Sequence, residues 1–397
     1  MSKISYKVSM KNQKAEVRHL YVHFPFCRSK CAYCGFYSVV PNDRQNEMYH
    51  GYLDSLSTEL AAYNSEYDLS HLETIFIGGG SPSFITSFIS DFNTILSKTA
   101  NSQKSSSDDF CEFTIECNPT QITDEFIAAA LSAGVNRFSM GVQSFCQSAL
   151  DRFGRHQTPA DVITALERLN SFRSSGAEFT VSIDLINHLL LSESDLQTEV
   201  SSLRNILVSY DFIKHISIYD LTFDEGSRIY TDSNIRTEFD SQQNEDSAAA
   251  YSELMAQLFT EFGFHRYEVS NWCRDGYQCR HNLGYWLYHN YIGLGPAAHS
   301  TIDGLRIENG RNIDKYIADW RSIRNVTQLT KKEQIEEYLL MNLRLLNNPI
   351  NHDIAKLIPN SIKHYQKIGW LTSDCAAAEL GIDYLNTMLV DMFDELR

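Results

Sequence analysis

The stretch "HLYVHFPFCRSKCAYCGFYS", residues 19–38, decides the fold. Its first six residues, with Tyr, Val and Phe among them, read as a β-strand. Straight after the strand come Cys27, Cys31 and Cys34, at spacings of four and three. Two positions further on, where a fourth cysteine would extend the series, stands Phe36. Structural zinc takes four ligands, commonly from two CxxC-like knuckles, and only one knuckle is present. Iron–sulfur clusters take thiolates from closely spaced runs. A 4Fe–4S cluster on Cys27, Cys31 and Cys34 would leave one iron without a protein ligand. An open position on a metal is where substrate chemistry takes place, so the missing cysteine reads as a functional vacancy.

Outward from this loop, β-rich runs alternate with helical ones from residue 19 to about 223. The strand candidates are "HLYVHF", "LETIFIG", "CEFTIEC", "NRFSMGV", "EFTVSIDLI" and "HISIYDLTF", each ending in polar or glycine-rich sequence. Between them lie "NEMYHGYLDSLSTELAAY", "TDEFIAAALSAG" and "TPADVITALERLNSF". Thr123 is a plausible N-cap with Gly134 as C-cap, and Thr158 caps a helix whose first residue is Pro159. Repeated strand–helix units imply parallel pairing with right-handed crossovers. Six units fall short of the eight of a closed barrel, so the expectation is an α/β fold with an open, partial (β/α)6 barrel. The run "SQKSSSDD" at 102–109 reads as a surface loop, and the polar residues 224–245 as a connection over the surface. After about residue 305 the character changes: "KKEQIEEYLLMNLRLLN" and "ELGIDYLNTMLVDMFDEL" are amphipathic helices of a smaller, mostly helical C-terminal domain, with room for a short β wing. The expected organisation is a barrel core over 1–240, a segment completing it over 241–305, and the helical domain over 306–397.

Composition narrows the function. The chain has 397 residues, 43% hydrophobic and 21% charged, ordinary for a globular protein. A net charge of −16 argues against nucleic acid as the main partner. No stretch approaches the roughly 20 apolar residues of a membrane span. The N-terminal "MSKISYKVSMKNQKAEVRHL" has no apolar signal core, so a cytoplasmic location is expected, with a peripheral membrane contact left open. Nine cysteines without an export signal point to metal or catalysis rather than disulfides. The six outside the loop are scattered and read as small buried hydrophobes.

"CRSKCAYC", with Tyr33 before the third cysteine, resembles the CxxxCxxC loop of radical S-adenosylmethionine proteins. The chain is further similar to their oxygen-independent coproporphyrinogen III oxidase group, and within it to the haem-chaperone (HemW-type) branch, from about Tyr21 to the C-terminus. The resemblance implies a partial barrel, a 4Fe–4S cluster, and S-adenosylmethionine whose methionine amino and carboxylate groups chelate the free iron. It implies roles for particular residues. "GGGSPS" at 78–83 follows the second strand, where glycines let the backbone approach a ligand, and Gly79, Gly80 and Ser81 would hold the methionine end. Tyr21 lies six residues before Cys27; Glu116 in "TIECNP" would take the ribose hydroxyls; Gln143, Arg155 and Asp184 fill the remaining cofactor positions. "INHLLLSESDL" departs from the family after the strand-five aspartate, and Cys117 replaces a common alanine.

Two classes then compete. An oxidase would cleave S-adenosylmethionine and use the radical on propionate side chains. A chaperone would bind haem as cargo and pass it to haem-requiring proteins, including respiratory enzymes at the membrane. The oxidases of the group carry a fourth cysteine where Phe36 stands, and a longer segment before the first strand than the twenty residues preceding Tyr21. "HNLGYW" at 281–286 matches the HNxxYW motif of the chaperone branch. His281 could supply an imidazole to iron, with Tyr285 and Trp286 as flat faces for a macrocycle. Cys279 is a weaker candidate ligand, and His299 is expected to shape the barrel floor. A radical enzyme acting on another substrate remains a third reading.

Overall fold

Several strands of this chain, β3 Glu112–Cys117 and β4 Arg137–Gln143 above all, alternate between apolar and polar residues, and the alternation decides which side faces what. The computed structural model describes residues 14–41, 43–99, 112–187, 189 and 191–396. Six parallel strands, β1 His19–Phe24, β2 Thr74–Gly79, β3 Glu112–Cys117, β4 Arg137–Gln143, β5 Thr180–Asn187 and β6 Ile213–Asp220, pair in sequence order. Leu20, Val22, Ile75, Ile77, Phe113, Ile115, Phe138, Met140, Val181 and Ile183 form the main core. The intervening residues His19, His23, Thr74, Glu112, Arg137, Ser139, Ser182, His215 and Ser217 are polar yet buried. Two-sided burial with one polar side is what a curved sheet needs if helices cover its outside and a ligand space lies within.

The sheet is larger than the six strand–helix units. Its order is β12-β11-β10-β9-β1-β2-β3-β4-β5-β6-β8-β7, twelve strands among the described residues. The added strands are β7 His265–Arg266, β8 Asn271–Cys273, β9 Tyr291–Leu294, β10 His299–Ile302, β11 Leu305–Asn309 and β12 Arg324–Gln328. Short β9 lies parallel to β1, with His19 opposite Tyr291 and Tyr21 opposite Gly293. It approaches β10 so closely that a side chain on Gly293 would run into the backbone of His299. The sheet therefore runs on to Gln328, past residue 305, where the sequence suggested helices would take over. Beyond it, the helix Lys331–Asn342 starts at Thr330 with a complete capping box, and Leu339, Leu343, Ile362, Met388 and Met392 gather in a separate apolar cluster. The last amphipathic stretch breaks into two helices, Glu379–Ile382 and Leu385–Glu395, with Trp370 stacked on Tyr384 at 4.4 Å beside the break.

Local signals hold where they were specific. Thr123 caps the helix Asp124–Ser132, Gly134 is left-handed just beyond it, and Thr158 heads a capping box on the helix Pro159–Ser174. The polar segment 224–245 is a correction. It holds a turn at Arg228–Thr231, the helix Ser233–Phe239 and the start of the helix Gln242–Glu261. It is too short and too polar for a clear period, yet Ile229 and Phe239 pack under the cysteine loop. Residues 102–109, read as a surface loop, lie outside the described residues. Among the described residues no helix is long and apolar enough to cross a membrane.

Candidate functional site

The cysteine loop is closed at its base by the backbone. Cys27 N donates to Val39 O (3.0 Å) and Val39 N to Pro25 O (2.7 Å). Its tip is fastened from two other strands' loops: Ala32 N donates to Phe153 O (2.8 Å), and Ile229 N to Ala32 O (3.1 Å). Gly35 meets Asp224 so closely that any side chain there would collide with it. Cys31 is buried, and Cys27 and Cys34 are half-buried. Burial pushes the Cys27 thiol up to about 11 and the Cys34 thiol upward as well. As free groups they keep their protons at neutral pH, and as ligands they would lose them to a positive centre.

The glycine-rich loop after β2 is stitched to the same stretch. Gly80 N donates to Phe24 O (2.7 Å) and Ser81 N to Phe26 O (2.9 Å). Gly79 has φ 103°, and a Cβ on it would stand 2.5 Å from the His23 ring; one on Gly80 would lie 2.6 Å from Phe26 O. Only glycine allows this approach. Ser81 Oγ donates to Gln121 Oε1 (2.6 Å).

Inside the barrel, Glu116 Oε2 accepts from Gly79 N at 3.1 Å. Burial, with the Asp184 carboxylate nearby, pushes the Glu116 carboxyl up to about 7. Asp184 is held by three serine hydroxyls, Ser139 (2.8 Å), Ser217 (2.8 Å) and Ser182 (3.3 Å). Arg155 reaches from beyond β4 towards Cys31 Sγ (3.7 Å) while Nη2 donates to Gly141 O (2.7 Å). Gln143 ends β4 with φ 70°, a left-handed conformation uncommon outside glycine and frequent at ligand sites. Cys27, Cys31, Cys34, Tyr33, Gly79, Gly80, Ser81, Glu116, Gln143, Arg155 and Asp184 all line one cavity of about 1630 Å³.

Three residues stand elsewhere. Tyr21 lines a second, smaller cavity and its hydroxyl meets His23 Nδ1 at 3.1 Å. His299 lines that same cavity half-exposed, rather than shaping the barrel floor. His281, expected to reach haem iron, is 1% exposed. Its Nδ1 meets Thr74 Oγ1 at 2.7 Å and its Nε2 meets Tyr285 Oη at 2.8 Å, so neither nitrogen is left for a metal. Cys279 is buried too, with its thiol on Glu112. The Glu112 carboxylate also accepts from the backbone N–H groups of Arg280 (2.9 Å) and His281 (3.0 Å), fixing the start of the helix Arg280–Trp286. Glu112 and Arg137 were missed by the motif reading. The signal was present as polar residues at alternate positions of "EFTIEC" and "RFSMGV".

The donor set suits an iron–sulfur cluster. Three free thiols border one cavity beside a guanidinium, and among the described residues no three such donors converge as they would around a single ion. A partial barrel with this loop on its first strand defines the class, and the chain belongs to the radical SAM superfamily, whose pattern matches residues 21–193. It is 31% identical over 332 residues to the protein named heme chaperone HemW of Bacillus subtilis (strain 168), covering 83% of each chain. It is 30% identical to the mitochondrial radical S-adenosyl methionine domain-containing protein 1 of Danio rerio, over 88% of this chain and 78% of that one. Within the superfamily the chain belongs to the family of these HemW relatives. Coproporphyrinogen III oxidase (HemN) from Escherichia coli shares the fold, with TM-score 0.76 over 96% of this chain and 90% of that one at 18% identity.

Two expectations follow from the geometry. His281→Ala removes one of the two partners of Thr74 and the partner of Tyr285 and opens a void, and should cost about 2–4 kcal/mol in denaturant unfolding. Glu116 titrates near 7 in the folded chain, above its ordinary value of 4.5, so the stability linked to its proton is lost as pH rises through 7. Glu116→Gln should therefore melt higher than wild type at pH 8, with the gap closing towards pH 5. A constant gap across that range would show that Glu116 does not titrate there.

Proposed function

We propose that this protein is a haem chaperone that carries a 4Fe–4S cluster on Cys27, Cys31 and Cys34, binds S-adenosylmethionine beside it, and passes haem to haem-requiring proteins. The observation that carries the first part is that three thiols, a glycine-tight backbone and two half-buried carboxyl groups all border one cavity. Such a cluster, when bound, supplies an iron without a protein ligand, able to take up the methionine end of the cofactor. The chain's own residues do the rest. The loop after β2 would present backbone to that end, Glu116 would accept the ribose hydroxyls, and Arg155 would hold positive charge against the Cys31 sulfur. The haem part is supported by the names of the relatives and by position 36. A phenylalanine there, 68% exposed, offers no fourth thiol and sets an apolar face at the cavity mouth. That favours cargo binding over the oxidative decarboxylation performed by the fold neighbour. Respiratory enzymes at the membrane are candidate recipients, reached from the surface.

Anaerobic reconstitution followed by two assays on one sample tests this. The wild-type protein should show the broad visible absorbance of a 4Fe–4S cluster, bind haem, and leave coproporphyrinogen III unconverted. Cys27→Ala, Cys31→Ala or Cys34→Ala should each abolish the cluster absorbance. Steady decarboxylation of coproporphyrinogen III without haem binding would assign the protein to the oxidase class instead.

A further inference from the structure

The second cavity, about 400 Å³, lies within the range of small-molecule sites and has a wall unlike the rest of the molecule. The chain carries a net charge of −16, yet among the described residues no carboxylate lines this space, while Arg306 and Arg311 do. Several of its donors lack a partner among the described residues. Arg311 is exposed and forms no hydrogen bond or ion pair with any described residue. Arg306 pairs through Nη2 with Glu337 (2.6 Å), but its Nε is buried without a partner, as is Nε1 of Trp286. Buried donors left unpaired are costly, and an anionic ligand would pair them. The remaining wall is flat and aromatic, Trp286 and Phe36 among it.

Three histidines line the space, and their ring nitrogens differ. His23 is fully engaged, with Tyr21 Oη at 3.1 Å and Tyr37 O at 2.8 Å. His289 meets His19 at 3.1 Å through Nδ1. His299 has Nδ1 3.5 Å from the Glu308 carboxylate, its cross-strand partner on β11. The Glu308 carboxylate stands on the Nδ1 side of the ring and no described residue bonds Nε2, and a carboxylate behind one ring nitrogen is the arrangement found behind metal-bound imidazoles. Thr301, two residues on and on the same strand face, is opposite Arg306, so the imidazole and one cation share a face of the β10–β11 hairpin.

We propose that this smaller cavity is the haem site, with His299 Nε2 as the axial ligand to iron and Arg306 and Arg311 meeting the two propionates. The ligand class follows from the wall: a flat aromatic anion carrying a metal that accepts an imidazole. The assignment rests on the haem-chaperone reading and moves the ligand away from His281.

Anaerobically reconstituted full-length protein is titrated with ferric haem, followed at the Soret band, and with iron-free protoporphyrin IX, followed by fluorescence. His299→Ala should shift the Soret band and weaken haem about tenfold or more, leave protoporphyrin affinity unchanged, and regain the band on addition of imidazole. Arg311→Glu should weaken both porphyrins about tenfold without moving the band. Both side chains are substantially exposed, so cluster absorbance and melting temperature should match wild type. If wild type binds haem and both variants keep its affinity and band, haem binds elsewhere; this overturns the cavity assignment and leaves the chaperone reading standing. A Soret change confined to His289→Ala overturns His299 as ligand. A wild-type protein that binds no haem overturns both readings.

Discussion

A polar face buried inside a parallel sheet must find partners, and in this protein the partners come from distant parts of the chain. Glu112 on β3 would be a stranded carboxylate if the helix Arg280–Trp286 did not bring its first backbone N–H groups to it. Thr74 on β2 binds His19 at 2.9 Å and His281 at 2.7 Å, and His215 on β6 closes on Ser182 at 2.8 Å and Tyr267 at 2.9 Å. Burial keeps these imidazoles uncharged; it lowers the pKa of His19 to about 3. Neutral rings can serve as both donor and acceptor, which makes histidine a suitable filler for such an interior. The HNLGYW motif is thus placed by the barrel's need for hydrogen bonds.

One consequence is a partition. Phe76 lines the large cavity and stacks on His281 at 5.2 Å; Tyr285, bonded to His281, lines the small one. His281 stands in the wall between two spaces. A histidine beside aromatics in sequence is compatible with a ligand and with a buttress, and only the accounting of both ring nitrogens separates them.

The parts of the site readable from sequence were those whose physics is local. Thiol spacing on one loop, a left-handed glycine after a strand and a capping box each depend on a few neighbouring residues. The polar residues at strand ends were also legible, because strand periodicity puts Glu116 and Asp184 on the inner face whatever the remainder does. What stayed hidden was non-local. β7 has two residues and β9 four, too few for a pattern, and they are placed by pairing with β8 and β1. The helix Ser233–Phe239 shows no period because its apolar residues answer to the cysteine loop rather than to a core of their own.

The two spaces also differ in charge, and the difference bears on how a chaperone with a radical-type cofactor site could work. Glu116 and Asp184 in the large cavity suit hydroxyls and the positive groups of a sulfonium amino acid, whereas the small cavity, free of carboxylates, suits an anion. On the proposed reading the cofactor and the cargo do not compete for one site: carboxylates and cations both line the large cavity, whereas the charged residues lining the small one are arginines. Phe36 lines both cavities, and Tyr37 beside it takes the His23 Nε2 hydrogen bond on its backbone oxygen. The loop that carries the cysteines therefore continues directly into the wall of the second space. A shift of that loop when the thiols take up a cluster would be felt by Phe36 and Tyr37, because only four residues separate Cys34 from the Val39 anchor. On the proposed reading, coupling between the sites would need no relay through the barrel core, because the backbone that follows the third cysteine joins the two walls.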